Sequence, residues 1–203
     1  RTFEVFAALR RQAPAFPLGF HGHNDLGMAV GNSMAAVSAG ADSLDVTIGG
    51  IGERSGNSPL EQVVMALEVS EGVSAGIDTS GLFELSRAAA RATGRSIPPD
   101  RPVVGESVFR HESGVHVASM LSDSNSYEPF APERIGAPGR EFVAGISSGS
   151  RGVKEVLRAA GADVSRQDAA RLLPTLREVC IRRGRSLSSG ELRGLVAGAR
   201  EGA

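Results

Sequence analysis

Residues 18–48 have the sequence LGFHGHNDLGMAVGNSMAAVSAGADSLDVTI, and this stretch decides the fold class. Leu18–His23 predicts a short strand, the apolar positions between Ala29 and Ala39 predict a helix, and Ser43–Ile48 predicts a second strand. A glycine-rich loop and a further helix follow. This alternation of strand and helix with short connections predicts parallel βα units, either in a barrel or in an open sheet.

The pattern differs on either side of this stretch. The first residues already lie in an amphipathic helical pattern, which predicts that the chain is a piece of a longer protein. The regular alternation stops near residue 75. We therefore predict βα units over residues 1–75, a linker and small α/β subdomain over 76–150, and a helical C-terminal subdomain over 151–203. The three closing helices are predicted at about 151–160, 166–183 and 188–200.

Composition limits the classes of partner. The 203 residues include 22 basic and 23 acidic side chains without long runs, so no charged field is expected to attract nucleic acid or an anionic membrane. A small-molecule ligand is expected instead. The single cysteine, Cys180, favours a reducing compartment, the cytoplasm, and no run approaches the ~18 apolar residues of a membrane span.

His21 and His23 are the first candidate metal ligands. On an extended strand, residues two apart project to the same side, so both imidazoles can share one ion. Imidazole suits several divalent metals, but two histidines hydrogen-bonded to each other are an equally good interpretation of this pair alone. The neighbouring Asn24 and Asp25 either add oxygen groups to the site or cap the following helix.

The loop Gly49–Asn57 follows the second predicted strand and contains Glu53 and Arg54. Its glycines permit a tight turn, although their spacing does not fit a dinucleotide-binding fingerprint. Arg54 is a candidate for holding a carboxylate, and Asn57 for giving an oxygen to a metal ion. The alternative is a surface loop in which Glu53 and Arg54 pair with each other.

Further candidates lie beyond residue 100. His111 and His116 are five residues apart, a spacing that does not favour a shared metal, but either is suited to act as a general acid or base. Tyr127, the only tyrosine, lies in a turn-rich segment with little apolar sequence around it.

Taken together, four motifs resemble those of the homocitrate synthases and the related 2-isopropylmalate synthases. These are Phe20-His-Gly-His-Asn-Asp-Leu-Gly27, Gly52-Glu-Arg-Ser-Gly-Asn57, Gly105-Glu-Ser-Val-Phe-Arg-His-Glu-Ser-Gly-Val-His116 and Tyr127-Glu-Pro-Phe. They occur in the family's order and cover residues 1 to about 150. The resemblance is strongest to the shorter homocitrate synthases associated with nitrogen fixation.

The resemblance implies an α/β fold, namely the C-terminal part of a (β/α)8 TIM barrel followed by small, mainly helical subdomains. It implies a transferase that condenses acetyl-CoA with 2-oxoglutarate to give homocitrate and CoA, assisted by a divalent metal ion (Mg, Mn, Zn or Co). By the same resemblance His21, His23 and Asn57 are metal-site residues, and His116 and Tyr127 are catalytic residues that reach the partner subunit of a homodimer.

Two departures from the family qualify this interpretation. The family's first barrel strand, with its Arg-Asp motif, has no counterpart here, so we expect an N-terminal half-barrel to be missing and the isolated chain to be inactive. Gly145-Ile-Ser-Ser-Gly149 stands where relatives often carry Gly-Lys-His-Ser-Gly. The alternatives are 2-isopropylmalate or citramalate synthesis and, in another class, a non-catalytic assembly module of a split or truncated enzyme.

Overall fold

The computed structural model describes residues 1–112, 119–120 and 127–201. The chain forms two compact units. The first comprises residues 1–108 and 133–137, and the second comprises residues 109–132 and 138–203.

The first unit contains the predicted alternation of helix and strand. Its elements are α1 (Thr2–Gln12), β1 (Gly19–His21), α2 (Ala29–Ser38), β2 (Ser43–Asp45), α3 (Leu60–Ser70) and α4 (Leu82–Thr93), with short 3-10 turns at Ile48–Gly50 and Thr79–Gly81. Another 3-10 turn, Pro132–Ile135, begins at the last residue of a second-unit segment and continues in the first unit. The two strands pair in parallel, with Phe20 opposite Leu44 and His21 opposite Asp45. The structure thus confirms the parallel βα arrangement.

The helices cover the sheet through a small apolar cluster. Phe6 of α1 is buried with Ala36 and Ala39 of the α2 end, and its ring meets that of Phe20 edge to face at 5.7 Å. This geometry is favourable for aromatic pairs. Phe20 therefore points into the helical layer, and His21, the next residue along the strand, faces the opposite side.

Both strands are shorter than predicted. His23 lies outside β1 and instead forms an isolated antiparallel bridge with Asn57, and Thr47 forms a parallel bridge with Pro59. The chain then turns at Gly49, which has a left-handed backbone with φ of 65°. Such a conformation cannot continue a strand, and glycine adopts it without a steric penalty.

The compact units do not coincide with the predicted domains, whose limits at residues 75 and 150 fall inside them. The reason is that α4 lies beyond residue 75 but packs on the 3-10 turn at Ile48–Gly50, within the first unit.

The second unit combines a small sheet with helices from the C-terminal part of the chain. Strands β3 (Arg110–His111) and β4 (Glu141–Ala144) are parallel, and β5 (Leu187–Ser188) runs antiparallel to β4. The helices are α5 (Ser150–Ala159), α6 (Arg166–Arg183) and α7 (Ser189–Glu201), close to the predicted bounds. They bury a common core that includes Leu157, Leu176 and Leu192.

Serine caps fix where two of these helices begin. The Ser165 hydroxyl accepts a hydrogen bond from the Asp168 amide at 3.1 Å. Ser188 and Glu191 form a reciprocal capping box, in which each side chain accepts from the other residue's backbone N–H. Both helices therefore begin at a serine whose hydroxyl accepts a backbone hydrogen bond.

Candidate metal site and the segment around Tyr127

The two histidines of the His-x-His motif face each other at the end of β1. Their Nε2 atoms lie 3.3 Å apart, and their rings are inclined by 81°. Two nitrogen ligands of one tetrahedral ion, each bound at ~2.0–2.1 Å, are separated by about 3.3–3.4 Å. The pair therefore has the spacing that a shared metal ion requires, although a hydrogen bond between the two rings also fits this distance.

Gly22 allows this arrangement because it has no side chain. A Cβ at this position would lie 2.6 Å and 2.7 Å from two ring carbons of Phe20. The ring of Phe20 is held by its contact with Phe6, so it cannot easily move away. The glycine between the two histidines is thus needed for packing on the helical side of the strand.

Asn57 lies next to His23 through their backbone bridge. Its Nδ2 donates a hydrogen bond to the carbonyl of Ile51 at 3.2 Å, whereas its Oδ1 is buried without a hydrogen-bond partner among the described residues. A buried acceptor without a donor is costly and calls for an explanation. A cation bound to this oxygen would supply one.

The glycines of the loop Gly49–Asn57 make room for Asn57 and for the loop's own backbone. A Cβ on Gly52 would lie 2.7–3.0 Å from the three outer atoms of the Asn57 amide. A Cβ on Gly56 would lie 2.1 Å from the carbonyl oxygen of Gly50. These two glycines are therefore required by close contacts inside the loop.

Asp45 is a site residue that the sequence analysis did not select. It lies opposite His21 in the β1–β2 register, and its Oδ2 is 3.7 Å from His21 Nδ1. A histidine that binds metal through one nitrogen commonly directs the other toward a carboxylate, which fixes the ring orientation. The available signal was an aspartate inside a predicted strand, where this residue type is uncommon.

The donor types present fit a divalent metal ion. They comprise two imidazole nitrogens and one amide oxygen, which suit Mn, Zn or Co, and oxygen also suits Mg. Within residues 1–112, 119–120 and 127–201 no group of three or more His, Cys, Asp or Glu side chains is placed to hold a metal ion. The candidate set in this chain is therefore His21, His23 and Asn57.

The structure brings Asp25 and Arg54 together as a two-pronged ion pair. Arg54 Nε and Nη2 donate to the two carboxylate oxygens of Asp25, both at 3.1 Å, and Arg54 Nη1 donates to Glu53 at 3.0 Å. The hydrogen bonds from Arg54 lower the pKa of Asp25, and those to Asp25 raise the pKa of Arg54. The guanidinium is thus already paired with two carboxylates, which favours a supporting role over direct binding of a substrate carboxylate.

Asn24 is placed as a cap. Its Oδ1 accepts a hydrogen bond from the backbone N–H of Ala29, the first residue of α2, at 3.1 Å. This satisfies one of the donors that a helix leaves free at its N-terminus. The capping interpretation of Asn24 therefore has direct structural support.

In the second unit, His116 lies outside the described residues. Tyr127 is described and half exposed. The next residue, Glu128, is buried and binds two neighbours: its Oε1 lies 2.8 Å from His111 Nε2, and its Oε2 accepts from Arg140 Nε at 2.8 Å. His111 thus belongs to a buried charged network that fixes the backbone beside Tyr127.

The segment Gly145–Gly149 forms a turn next to Glu112. A Cβ on Gly145 would lie 2.4–2.6 Å from the Glu112 carboxylate, and the Ser148 hydroxyl accepts a hydrogen bond from the Gly145 N–H at 3.0 Å. Gly145 and Ser148 therefore have structural roles in this turn.

Two family models match this chain, one over its N-terminal part and one over its C-terminal part. Residues 1–88 match the HMGL-like family, and residues 103–183 match the family described as homocitrate synthase post-HMGL domain-like. The first match confirms the predicted fold class, because the HMGL-like family consists of TIM barrels.

Individual relatives agree with these families. The chain is 43% identical to homocitrate synthase 1 of Nostoc sp. over 91% of its length and 41% identical to homocitrate synthase AksA of Methanopyrus kandleri over 93%. It is also 40% identical to 2-isopropylmalate synthase 2 of Caldanaerobacter subterraneus over 95%. It covers 48%, 47% and 50% of these proteins, so the chain spans about half the length of the curated relatives it matches.

Proposed function

This chain belongs to the family of homocitrate synthases and 2-isopropylmalate synthases, and we propose that it supplies part of the active site of an enzyme that condenses acetyl-CoA with a 2-oxo acid. The proposed 2-oxo acid is 2-oxoglutarate, and the products are homocitrate and CoA. The observation that carries the proposal is the tandem of an HMGL-like region and a homocitrate synthase post-HMGL region in one chain.

In this proposal His21, His23 and Asn57 hold a divalent metal ion, which supplies Lewis-acid polarisation of a carbonyl group when bound. The chain's own residues prepare the site. Asp45 Oδ2 lies 3.7 Å from Nδ1 of His21, on the edge of the ring away from the Nε2 that faces His23. Because Asn57 Nδ2 donates its hydrogen bond to the carbonyl of Ile51, the Oδ1 atom is left to act as the metal ligand.

We assign the carbon–carbon bond formation to His116 and Tyr127 through the family resemblance. A base removes a proton from the acetyl methyl group, and the resulting enolate attacks the keto carbon of the 2-oxo acid, whose oxygen takes up a proton to become a hydroxyl. Water then hydrolyses the thioester, which gives the new carboxylate and releases CoA. Glu128, held by His111 and Arg140, fixes the backbone from which Tyr127 extends. The cytoplasmic location, the homodimer and the role in nitrogen fixation stay predictions.

Two alternatives concern the 2-oxo acid that the enzyme uses, namely 2-isopropylmalate synthesis and citramalate synthesis. Relatives with either name match this chain about as well as the homocitrate synthases do. A direct test measures CoA release from acetyl-CoA with 2-oxoglutarate, 2-oxoisovalerate or pyruvate, in the presence of Mg²⁺ or Mn²⁺, for the complete protein that carries this sequence. Preference for 2-oxoglutarate is expected. Preference for either other acid would replace homocitrate by that alternative.

The double substitution His21→Ala/His23→Ala tests the metal assignment. It should abolish both CoA release and the binding of Mn²⁺, because two of the three proposed donors are lost. Arg95→Met serves as a control, since Arg95 lines a cavity that includes neither histidine and makes no ion pair with a described residue. Unchanged Mn²⁺ affinity in the double variant would refute the ligand assignment.

A role as a non-catalytic assembly module is the second candidate function, and the surface of the first unit supports it. Phe3, Val5 and Leu9 of α1 are exposed, and an apolar cleft between α2, β2 and α3 is lined by Leu44, Val63 and other aliphatic side chains. Exposed apolar surface of this kind is typical of protein contacts. The 203-residue chain alone is expected to release no CoA, and robust turnover by it would exclude the module interpretation.

A further inference from the structure

Glu61 is a buried carboxylate that the proposed reaction does not use. It lies in the first turn of α3 and is 1% exposed. Its Oε2 accepts a hydrogen bond from the backbone N–H of Gly49 at 3.0 Å, while its Oε1 has no hydrogen-bond donor among the described residues and lies 3.6 Å from Arg101 Nη2. A buried carboxylate costs free energy unless it is paired, so its presence needs a reason beyond filling space.

Arg101 binds the other backbone polar group of Gly49. Its Nη2 donates a hydrogen bond to the carbonyl oxygen of Gly49 at 2.7 Å. Glu61 and Arg101 therefore bind the two backbone polar groups of one residue and are paired with each other. We call these two side chains the Gly49 clamp.

The backbone of Arg101 is itself held firmly. Its N–H donates to Pro98 at 3.0 Å, and its carbonyl accepts from Gly105 at 2.8 Å. A Cβ on Gly105 would lie 2.4–2.6 Å from backbone atoms of Pro99 and Arg101, so the chain folds tightly here. The guanidinium thus extends from a rigid connector rather than from a free loop.

Gly49 is linked to the candidate metal site by a short series of backbone contacts. It has a left-handed backbone with φ of 65°, and the following residue, Gly50, accepts a hydrogen bond from the Asn57 N–H at 3.0 Å. A Cβ on Gly50 would lie 2.9 Å from the Asn57 carbonyl oxygen. A shift of Gly49 would therefore also displace the backbone of Asn57.

Apolar packing alone does not hold this turn in place. A cavity of about 250 Å³ adjoins it, lined by Gly49, Glu61 and Arg101 together with residues of α4 and the connector. Because one side of the turn faces open space, the polar contacts of the clamp add to the hydrogen bond from the Gly50 N–H to the Thr47 carbonyl, at 3.0 Å, in holding its position.

From these contacts we propose that Glu61 and Arg101 are positioning residues, which hold Gly49 and Gly50 so that Asn57 stays beside His23 with its unpartnered Oδ1 available to the metal ion. The inference rests on the proposed function for the identity of that site. It differs from a purely structural role because it predicts an effect on metal affinity that exceeds the effect on folding.

The test uses the purified 203-residue chain with Co²⁺ as the only added ligand. Co²⁺ binding is measured by titration and by visible absorption, and amide hydrogen exchange at Asn57 is the second readout. Arg101→Met removes the clamp's donor. It should weaken Co²⁺ binding about tenfold, as loss of an outer-shell contact commonly does, and should speed exchange of the Asn57 amide. Arg95→Met is the matched control: the same substitution on the wall of the same cavity, with no clamp contact to lose. Its effects should stay within about twofold.

Glu61→Gln is the second variant in case Arg101→Met does not fold. It keeps the shape and an acceptor for Gly49 but removes the charge that holds Arg101, so weaker Co²⁺ binding is again expected. The proposal is overturned if the folded variants bind Co²⁺ and exchange the Asn57 amide as the control does. If the unmodified chain binds no Co²⁺, the metal site itself fails, and the exchange rates alone decide on the clamp.

Discussion

Gly52→Ala tests whether the position of the Asn57 side chain determines metal binding. The new Cβ would lie 2.7 Å from Nδ2, 2.8 Å from Cγ and 3.0 Å from Oδ1 of Asn57. Favourable contacts begin at about 3.5 Å, so the amide must move by roughly 0.5–1 Å. That movement breaks the hydrogen bond from Nδ2 to Ile51.

Two consequences can be estimated. Loss of the hydrogen bond, with one partly buried amide left without its partner, should lower the free energy of unfolding by about 1–3 kcal/mol. Displacement of a metal ligand beyond about 0.5 Å exceeds what a binding site tolerates. The dissociation constant for Co²⁺ should therefore rise at least about tenfold.

The assay combines calorimetric titration with Co²⁺ and chemical denaturation, and Gly31→Ala is the control. Gly31 lies inside α2 with open space around its Cβ position, so the same substitution should leave Co²⁺ binding unchanged and stabilise the helix by up to about 1 kcal/mol. Equal Co²⁺ affinity in Gly52→Ala and the unmodified chain would refute the reasoning. Equal free energies of unfolding in Gly52→Ala and the unmodified chain would contradict the steric argument, whatever the Co²⁺ affinities are.

Three further predictions concern the second unit. Leu157→Ala, at a fully buried core position, should lower the free energy of unfolding by about 2–5 kcal/mol, and denaturant titration that finds a smaller loss would contradict the packing described. Hydrogen bonds from Arg185 lower the pKa of Glu191 from 4.5 to about 2, so the stability it contributes is present above pH 4.5 and is lost as the pH falls toward 2. Glu191→Gln should flatten this part of the stability profile, and an unchanged profile would argue against the ion pair. Burial raises the pKa of the Cys180 thiol, which should react with a thiol reagent at pH 8 only after denaturation, whereas rapid reaction of the native chain would contradict its burial.

Local sequence patterns were sufficient for the elements. Local patterns predicted the bounds of α6 and α7 to within a residue or so, because a helix depends on contacts between residues three and four apart. The His-x-His spacing likewise predicted that two imidazoles share one side of a strand, since side chains alternate along it. The roles of His116 and Tyr127 came from resemblance alone and stay predictions.

Strand lengths were not determined in this way. The sequence predicted strands that extend to His23 and Ile48, whereas β1 and β2 end at His21 and Asp45. A strand ends where its partner ends, and beyond these ends His23 pairs with Asn57 and Thr47 pairs with Pro59. Both partners lie more than ten residues beyond the end of either strand in sequence, so they leave no trace in the local pattern.

The sequence by itself thus determined the order of helices and strands, the family and the residue types available for a metal site. The tertiary structure decided how those residues pair: Arg54 with Asp25, Asp45 with His21, and Glu61 with Arg101 around Gly49. Helical periodicity is a property of neighbouring residues, but charge pairing depends on which distant segments the fold brings within a few ångströms of one another.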